Sequence, residues 1–518
     1  MTSLSLTKIR DSETPSITVS SKHTVADINP LIYGGFVEHM GRCIYTGIYD
    51  PSNPDPSLTD AHGFRTDVLS ALRDLRVPVM RYPGGNFTAQ YRWQDGIGPR
   101  ENRPKRPDLA WGLVESNQFG TDEFMVWCEM LGAEPFLCLN MGTGGLEDAL
   151  AWLEYCNSDQ DTYYANLRRK YGREEPYKVK YWALGNETWG PWQVEQHTKE
   201  DYAKKAYQWG KAMKRMDPTI QLVLCGKNGY SDWDRYVLQH CIRYTDMHSI
   251  HLYVSDASHT PNVISPLAAE RAIEITASLI DLARVETDTE AWPDALVTKP
   301  KTAHRPTICF DEWNIWSETR FPGSEGAEQH YDLSDALGVA VWLNVFVRQA
   351  KWLGMATIAQ SVNVLAPVYT RPDGNGLVKQ TIYWPLYLFS RYMQGRTLSV
   401  NLRCGVYEGR TNPEWIESTM DKPWLDVSGA LDKEGWINLA VVNISEDRDF
   451  ETDVPGVDGG VEVYTVGGEG HSIRDCNISE PDKVCVKESS WDGKGRFTFQ
   501  KHSFTLLRWK AEKDLALR

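Results

Sequence analysis

The sequence predicts an α/β protein, a (β/α)8 TIM barrel followed by an all-β, jelly-roll-like sandwich. Three observations predict it. Short apolar runs alternate with longer segments of helical period across residues 30–365, which is the rhythm of repeated βα units. A polar or ionisable residue closes nearly every run, as expected where an active site is built at the C-terminal ends of barrel strands. Beyond about residue 395 the pattern changes to short alternating strands separated by Gly, Asp and Asn turns.

The eight runs are Leu31–Glu38, Val77–Arg81, Glu134–Asn140, Val179–Glu187, Ile220–Gly226, Ser249–Tyr253, Thr307–Glu312 and Ala356–Val362. Between them lie amphipathic segments. Phe64–Leu75 places Val68, Leu69, Leu72 and Leu75 on one face, and Lys199–Met216 is rich in helix formers and stopped by Asp217-Pro218. In the C-terminal part, Trp436–Ile444, Val461–Val466, Lys483–Lys487 and Arg496–Trp509 read as strands, and Ser16–Ser20 reads as an edge strand added from the N-terminus. The expected domains are therefore a barrel over 26–394 and a sandwich made of 1–25 with 395–518. No internal repeat, low-complexity tract or flexible linker separates them, so they should pack directly on one another.

A net charge of -15 and a pI near 5.4 disfavour nucleic acid and anionic membranes as partners, because both would meet a repelling field. A neutral substrate fits better. The 20 Trp and 24 Tyr suit sugar faces as well as a large core. No secretory leader is recognisable near Met1, and the ten cysteines show neither a CxxC pair nor metal spacing. These features lead to the expectation of a cytoplasmic protein, or a secreted one if a leader has been removed, with no metal and no cofactor.

The residues closing the eight runs are Glu38, the Arg81–Asn86 turn, Asn140, Glu187, Lys227, Tyr253, Glu312 and Gln360. Three of these are acids, and among them Glu187 and Glu312 form a pair ending apolar strands, where an unpaired carboxylate is costly. Glycosidic cleavage needs such a pair, one carboxyl to protonate the leaving oxygen and one to meet the positive charge at the anomeric carbon. Glu187 and Glu312 close the fourth and seventh runs, which face each other across a barrel mouth, so their carboxyls are expected about 5 Å apart, as in a retaining mechanism. For a lone glutamate, a salt-bridged or solvated carboxylate is an equally good account. Two in such settings are harder to explain that way.

Several segments, in order along the barrel, carry a resemblance. They are Ile32-Tyr33-Gly34-Gly35-Phe36-Val37-Glu38-His39, Met80-Arg81-Tyr82-Pro83-Gly84-Gly85-Asn86-Phe87, Asn140-Met141-Gly142-Thr143-Gly144, Lys180-Tyr181-Trp182-Ala183-Leu184-Gly185-Asn186-Glu187, His251-Leu252-Tyr253, Phe310-Asp311-Glu312-Trp313-Asn314 and Ala359-Gln360-Ser361-Val362-Asn363. In these segments the chain resembles the arabinofuranosidases of glycoside hydrolase family 51. The resemblance implies exo-acting release of α-L-arabinofuranosyl groups from arabinoxylan, arabinan or arabino-oligosaccharides with retention, with Glu187 as acid/base and Glu312 as nucleophile. It further implies that Asn186 binds the sugar 2-hydroxyl, that Glu38, Asn86 and Gln360 hold other furanose hydroxyls, and that Tyr253 and Arg81 orient Glu312. A homo-oligomer is compatible with it.

Trp93, Trp189, Trp192, Trp313 and Trp316 flank these motifs and are candidate pocket walls, although for any one of them the core is the better account. Asn117 and the loop Arg100–Leu109 are candidates for the leaving-group side, and Phe321–Tyr331 for a lid. His248 and His251, three apart on a strand, should point to opposite faces and share no metal. Asn443 and Asn477 are the glycosylation candidates in a secreted form. Two other readings are an endo-acting β-glycanase on the same barrel and a non-catalytic carbohydrate-binding protein.

Overall fold

The structure, a computed structural model, describes residues 3–289, 305–317, 327–457 and 459–511. Eight parallel strands form the barrel: β1 (Gly35–Phe36), β2 (Val79–Tyr82), β3 (Glu134–Cys138), β4 (Tyr181–Leu184), β5 (Gln221–Leu224), β6 (Met247–Val254), β7 (Thr307–Ile315) and β8 (Leu353–Ile358). Neighbours in sequence are neighbours in space, as right-handed βα units require. Closure comes from Gly34, whose N–H donates to Ala356 O at 3.0 Å and whose carbonyl accepts from Ile358 N at 3.1 Å.

Strand periodicity sorts the side chains into two layers. Tyr181 and Ala183 of β4 join Val79, Phe136, Cys138, Val223, Met247, Cys309 and Met355 in a plug inside the barrel. Trp182 and Leu184 of the same strand face the surrounding helices in the main core. The barrel is thus filled below its mouth, and polar chemistry is confined to the strand exits. Helix Thr66–Asp74 buries Val68, Leu69, Ala71 and Leu72, and helix Lys199–Met216 is held at its start by the Thr198 hydroxyl, which accepts from Asp201 N.

One departure from regular pairing decides the site. Ser249 pairs with Cys309 and His251 with Glu312, while on the other side Phe310 pairs with Ala356 and Trp313 with Ile358. Strand β7 therefore carries one extra residue against both neighbours, a bulge between Phe310 and Trp313. With strict alternation Asp311 and Glu312 would face opposite sides. The bulge lets both reach the barrel interior.

The second domain is one coiled ten-stranded sheet to which Leu4–Lys8 and Ser16–Asp27 contribute, both pairing with Arg396–Cys404. Its strands fold around their own core of residues such as Val400, Val427, Leu439, Val441 and Leu507. Alternate residues of the same strands, Ala430, Ala440, Val442 and Leu506, belong instead to the barrel's core. Between the two lies helix Leu333–Arg348, every residue of which is buried. Asn344 donates to Asp426 Oδ1 at 2.7 Å, and Arg348 bridges Asp426 and Glu270 at 3.0 and 2.8 Å.

Three expectations need correction. Ser16–Asp27 is no edge strand, since it lies between Arg396–Cys404 and Phe450–Asp453. The strand sought at Lys483–Lys487 lies at Lys487–Trp491, since only the later segment finds a partner in Val461–Gly467. Asn443 and Asn477 are unsuitable for glycosylation in the folded chain. Both are fully buried, with Nδ2 donating to the carbonyls of Arg448, Phe499 and Gln500 and of Lys379 and Val484 respectively.

Candidate active site

A cavity of about 620 Å³ opens at the C-terminal ends of the strands, lined by Glu38, Asn86, Trp111, Glu187, Trp189, Trp192, His251, Tyr253, Glu312, Trp316 and Gln360 among others. Its two central acids come from different local devices. Strand β4 ends at Leu184, and the turn Gly185-Asn186-Glu187 lifts Glu187 to the rim with a φ of 41°, the left-handed region that a non-glycine residue adopts only under constraint. Glu312 lies within β7 and is turned inward by the bulge. Carboxylate oxygens of Glu187 and Glu312 and a ring nitrogen of His251 all lie within 4.8 Å of one another.

Glu312 is held at both oxygens. Arg81 Nη1 donates to Oε1 at 2.8 Å and the Tyr253 hydroxyl donates to Oε2 at 2.8 Å. Arg81 is wholly buried over the ring of Phe36, pairs also with Asp311, and donates through Nη2 to Asn186 Oδ1 at 2.6 Å. That last bond fixes the Asn186 amide with its Nδ2 beside Gly85 and Glu312, buried and without a protein partner. Gln360 is placed similarly. Its Nε2 donates to Glu38 Oε2 at 3.0 Å, leaving Oε1 buried and unpartnered. Beside the carboxylates of Glu312 and Glu38, these two atoms offer one donor and one acceptor to ligand hydroxyls.

Glu187 is held by two donors, His251 Nδ1 at 2.9 Å on Oε1 and Trp192 Nε1 at 3.2 Å on Oε2. On its other side His251 Nε2 lies 3.2 Å from the Ser249 hydroxyl and 3.3 Å from Asp311 Oδ1, and Ser249 donates to the same carboxylate. Burial opposes charge on the imidazole. The carboxylates of Glu312 and Asp311, with hydrogen bonds to Asp311 and Glu187, outweigh it and raise His251 to about 10. Burial also works against ionised Asp311, but Arg81 and His251 bring it down to about 2. His251 is therefore an imidazolium that donates from both nitrogens.

Asp311→Asn should lower the pKa of His251, read by NMR titration of its ring. A raised histidine pKa contributes stability that is complete below its ordinary value of 6.5 and is lost as pH rises through about 10. The wild-type melting temperature should accordingly fall across that alkaline window, and the variant should show a smaller fall.

Glu38 forms the far wall. Its Oε1 accepts from Phe87 N at 3.0 Å and Trp111 Nε1 at 3.1 Å. Gly84 and Gly85 permit this approach: a Cβ on Gly84 would lie 2.4 Å from Glu38 Cγ, and one on Gly85 would lie 2.9 Å from Glu312 Oε1. Burial and the charge of Glu312 push Glu38 up to about 7 against the donors around it. Its ionised form is the better acceptor of sugar hydroxyls. KM should rise as pH drops below about 7, and Glu38→Gln should remove that dependence in steady-state profiles.

The structure brings Glu38, Arg81, Asn86, Asn186, Glu187, Trp189, Tyr253, Glu312 and Gln360 together around this cavity. Asn86 accepts from Gln193 Nε2 at 2.5 Å, and Trp316 stands edge-on to Tyr253. Trp93 is a correction. It is 3% exposed, stacks parallel on Trp152, donates to Asp148 O at 3.0 Å, and lines a separate cleft. Trp313 is also core, packed on Trp342 and Phe346. Asn117 does not reach the cavity: it accounts for a backbone φ of 56° and ties to Pro104 O at 2.6 Å. His248 points away from the mouth onto Asp234 at 2.9 Å. Of the lid sought at Phe321–Tyr331, residues 321–326 lie outside the described residues, and Ala327 borders the cavity.

Sequence reasoning missed Trp111, Asp311 and Ser249. Trp111 arrives on the hairpin of Arg106–Pro107 with Val114–Glu115, where Asp108 Oδ1 accepts from the backbone of Ala110 and Trp111, and Glu115 is gripped by His39 and Tyr45. Asp108, three residues earlier, was the available signal, because its Asx turn fixes the backbone from which Trp111 projects.

Comparison with known proteins agrees with this geometry. Residues 71–264 match the family model described as the alpha-L-arabinofuranosidase 1 domain, and residues 311–503 match the one described as the alpha-L-arabinofuranosidase C-terminal domain. The chain is 60% identical over 518 residues to a probable alpha-L-arabinofuranosidase C of Aspergillus clavatus, covering 98% of this chain and 99% of that one. It is 34% identical over 452 residues to the intracellular exo-alpha-(1->5)-L-arabinofuranosidase 1 of Bacillus subtilis, covering 84% and 86%. The solved structure of the thermostable GH51 alpha-L-arabinofuranosidase from Thermotoga petrophila superposes with a TM-score of 0.85 at 34% identity, covering 96% of this chain and 100% of that one.

Proposed function

The chain belongs to the α-L-arabinofuranosidases of glycoside hydrolase family 51, and from that premise we propose how its own residues carry out exo-acting, retaining hydrolysis of α-L-arabinofuranosides. The supporting observation is the approach of a Glu187 carboxylate oxygen to within 4.8 Å of one on Glu312, the short spacing of a retaining pair and not the roughly 6.5–9.5 Å that an inverting pair keeps for its attacking water.

Glu187, protonated, gives its proton to the glycosidic oxygen as that bond breaks. Glu312 Oε attacks the anomeric carbon from the opposite face and forms an ester. Positive charge on the ring is met by the Glu312 carboxylate, while Asn186 Nδ2 donates to the 2-hydroxyl, a contact that strengthens with oxocarbenium character. The leaving chain departs as an alcohol. Glu187, now a carboxylate, takes a proton from water, whose oxygen displaces Glu312 and releases arabinose with its original configuration. Glu38, Asn86 and Gln360 hold the remaining hydroxyls, and Trp111 donates to Glu38 beside them.

The wall that Glu38 builds with Trp111 and Gln360 favours removal of one terminal sugar over cutting within a chain, which needs an open cleft. The test is release of nitrophenol from 4-nitrophenyl α-L-arabinofuranoside beside chain cutting of soluble cellulose and xylan, with NMR of the first-formed arabinose. Chain cutting without arabinoside turnover, or an inverted product, would overturn the proposal. The substrates we infer are plant polysaccharides and their oligosaccharides. An intracellular location is supported by ten cysteines without a disulfide, and fractionation of tagged protein tests it.

A further inference from the structure

The furanose side of the cavity is lined by Glu38 with Trp111 and Gln360 bonded to it, and the acid/base side by Trp192 on Glu187, Trp189 and Lys227 against one another, and Asn228. A leaving chain must exit on the latter side. There Lys227 sets its ammonium 4.6 Å from the centre of the Trp189 ring and makes no ion pair with a described residue. Trp192 is 53% exposed although one edge is spent on Glu187. The same loop continues past Asn228 to Tyr230, which is 41% exposed. Two residues of backbone span at most about 7 Å, so the Tyr230 backbone lies within that reach of Asn228 on the cavity wall.

Tyr230 is met by an aromatic from the other domain. The Trp415 ring stands edge-on to it at 6.2 Å and 73°. The segment bearing Trp415 is fastened to the barrel rim just past β6: Arg410 pairs with Asp256 at 2.6 Å, and Asn412 donates to Ser255 O at 2.6 Å. Arg271 adds a bond to Thr419 O at 3.2 Å. Two residues before Ser255 is Tyr253, the ligand of Glu312, so the sandwich domain borders the exit from the site.

We propose that Tyr230 and Trp415 form a distal sugar-binding platform, jointly built by both domains, on which the leaving chain of a multi-unit neutral oligosaccharide lies. This rests on the arabinofuranosidase reading and extends it to chain length. Ring faces receive the C–H faces of sugars, and Lys227 supplies N–H donors to hydroxyls between platform and cavity.

The test compares kcat/KM on 4-nitrophenyl α-L-arabinofuranoside, arabinobiose and arabinohexaose, for wild type and for Tyr230→Ala, Trp415→Ala, Tyr230→Phe and Trp415→Phe. Wild type should favour arabinohexaose over arabinobiose. Each alanine variant should lose roughly tenfold on arabinohexaose, the equivalent of about 1.4 kcal/mol, with the aryl arabinoside unchanged, and each phenylalanine variant should keep most of the preference. Equal losses on all three substrates would mark the pair as packing and overturn the platform, as would a wild type indifferent to chain length. Either result leaves the furanosidase reading standing. No arabinoside turnover by wild type would overturn both. Should an alanine variant melt early, the phenylalanine variants and the wild-type length dependence decide the matter.

Discussion

Glu312→Gln should reduce turnover of every arabinofuranoside by about 10⁴-fold or more, the scale of removing a covalent nucleophile, without disturbing the fold. The amide has the shape of the carboxylate. Its oxygen can keep the bond from Arg81, and its NH2 can face the Tyr253 hydroxyl, which can turn to accept. Arg81 retains Asp311 as counter-charge, so no buried cation is stranded. What disappears is the anionic oxygen that forms the ester. Rapid-quench mass spectrometry with an activated aryl arabinoside should show a pentosyl adduct on the wild type and none on the variant. A variant within about tenfold of wild-type kcat would mean that another group is the nucleophile.

Glu187→Ala should have an effect that depends on the leaving group. A sugar alkoxide leaves poorly without a proton, so hydrolysis of natural linkages should fall by about 10²- to 10⁴-fold. Nitrophenolate needs no such help. Its release should remain fast for one turnover, and the glycosyl ester should then accumulate, since no base activates water. Azide needs no base and should restore turnover, giving an α-L-arabinofuranosyl azide of retained configuration. His251 stays near by, with Nδ1 3.6 Å from Glu312 Oε2, so the variant's pocket keeps its cation. A drop equal for all leaving groups, with no response to azide, would remove Glu187 from the acid/base role.

The sequence made the barrel legible because strands filled on both faces are continuous apolar runs, and because an acid at the end of such a run stands out. Glu187 and Glu312 could be read for that reason. Asp311 could not, since the apparent alternation of Phe310-Asp311-Glu312-Trp313 sends neighbours to opposite faces, and only pairing with both β6 and β8 reveals the bulge. Trp111 was hidden differently. It is far in sequence from the residue it serves, and the hairpin that carries it is anchored by Glu115 on His39 and Tyr45, contacts without a local signature. Trp93 misled because a tryptophan beside a motif looks the same whether it borders solvent or, as here, lies against Trp152.

The helix Leu333–Arg348 has no water-facing side: the barrel covers one flank and the sheet's Ala430 and Ala440 cover the other. A chain ending near residue 394 would leave that flank bare, with Arg348 lacking Asp426. Such a truncation would give a sticky, insoluble remnant and not a minimal catalyst. The two domains should accordingly melt in a single cooperative transition.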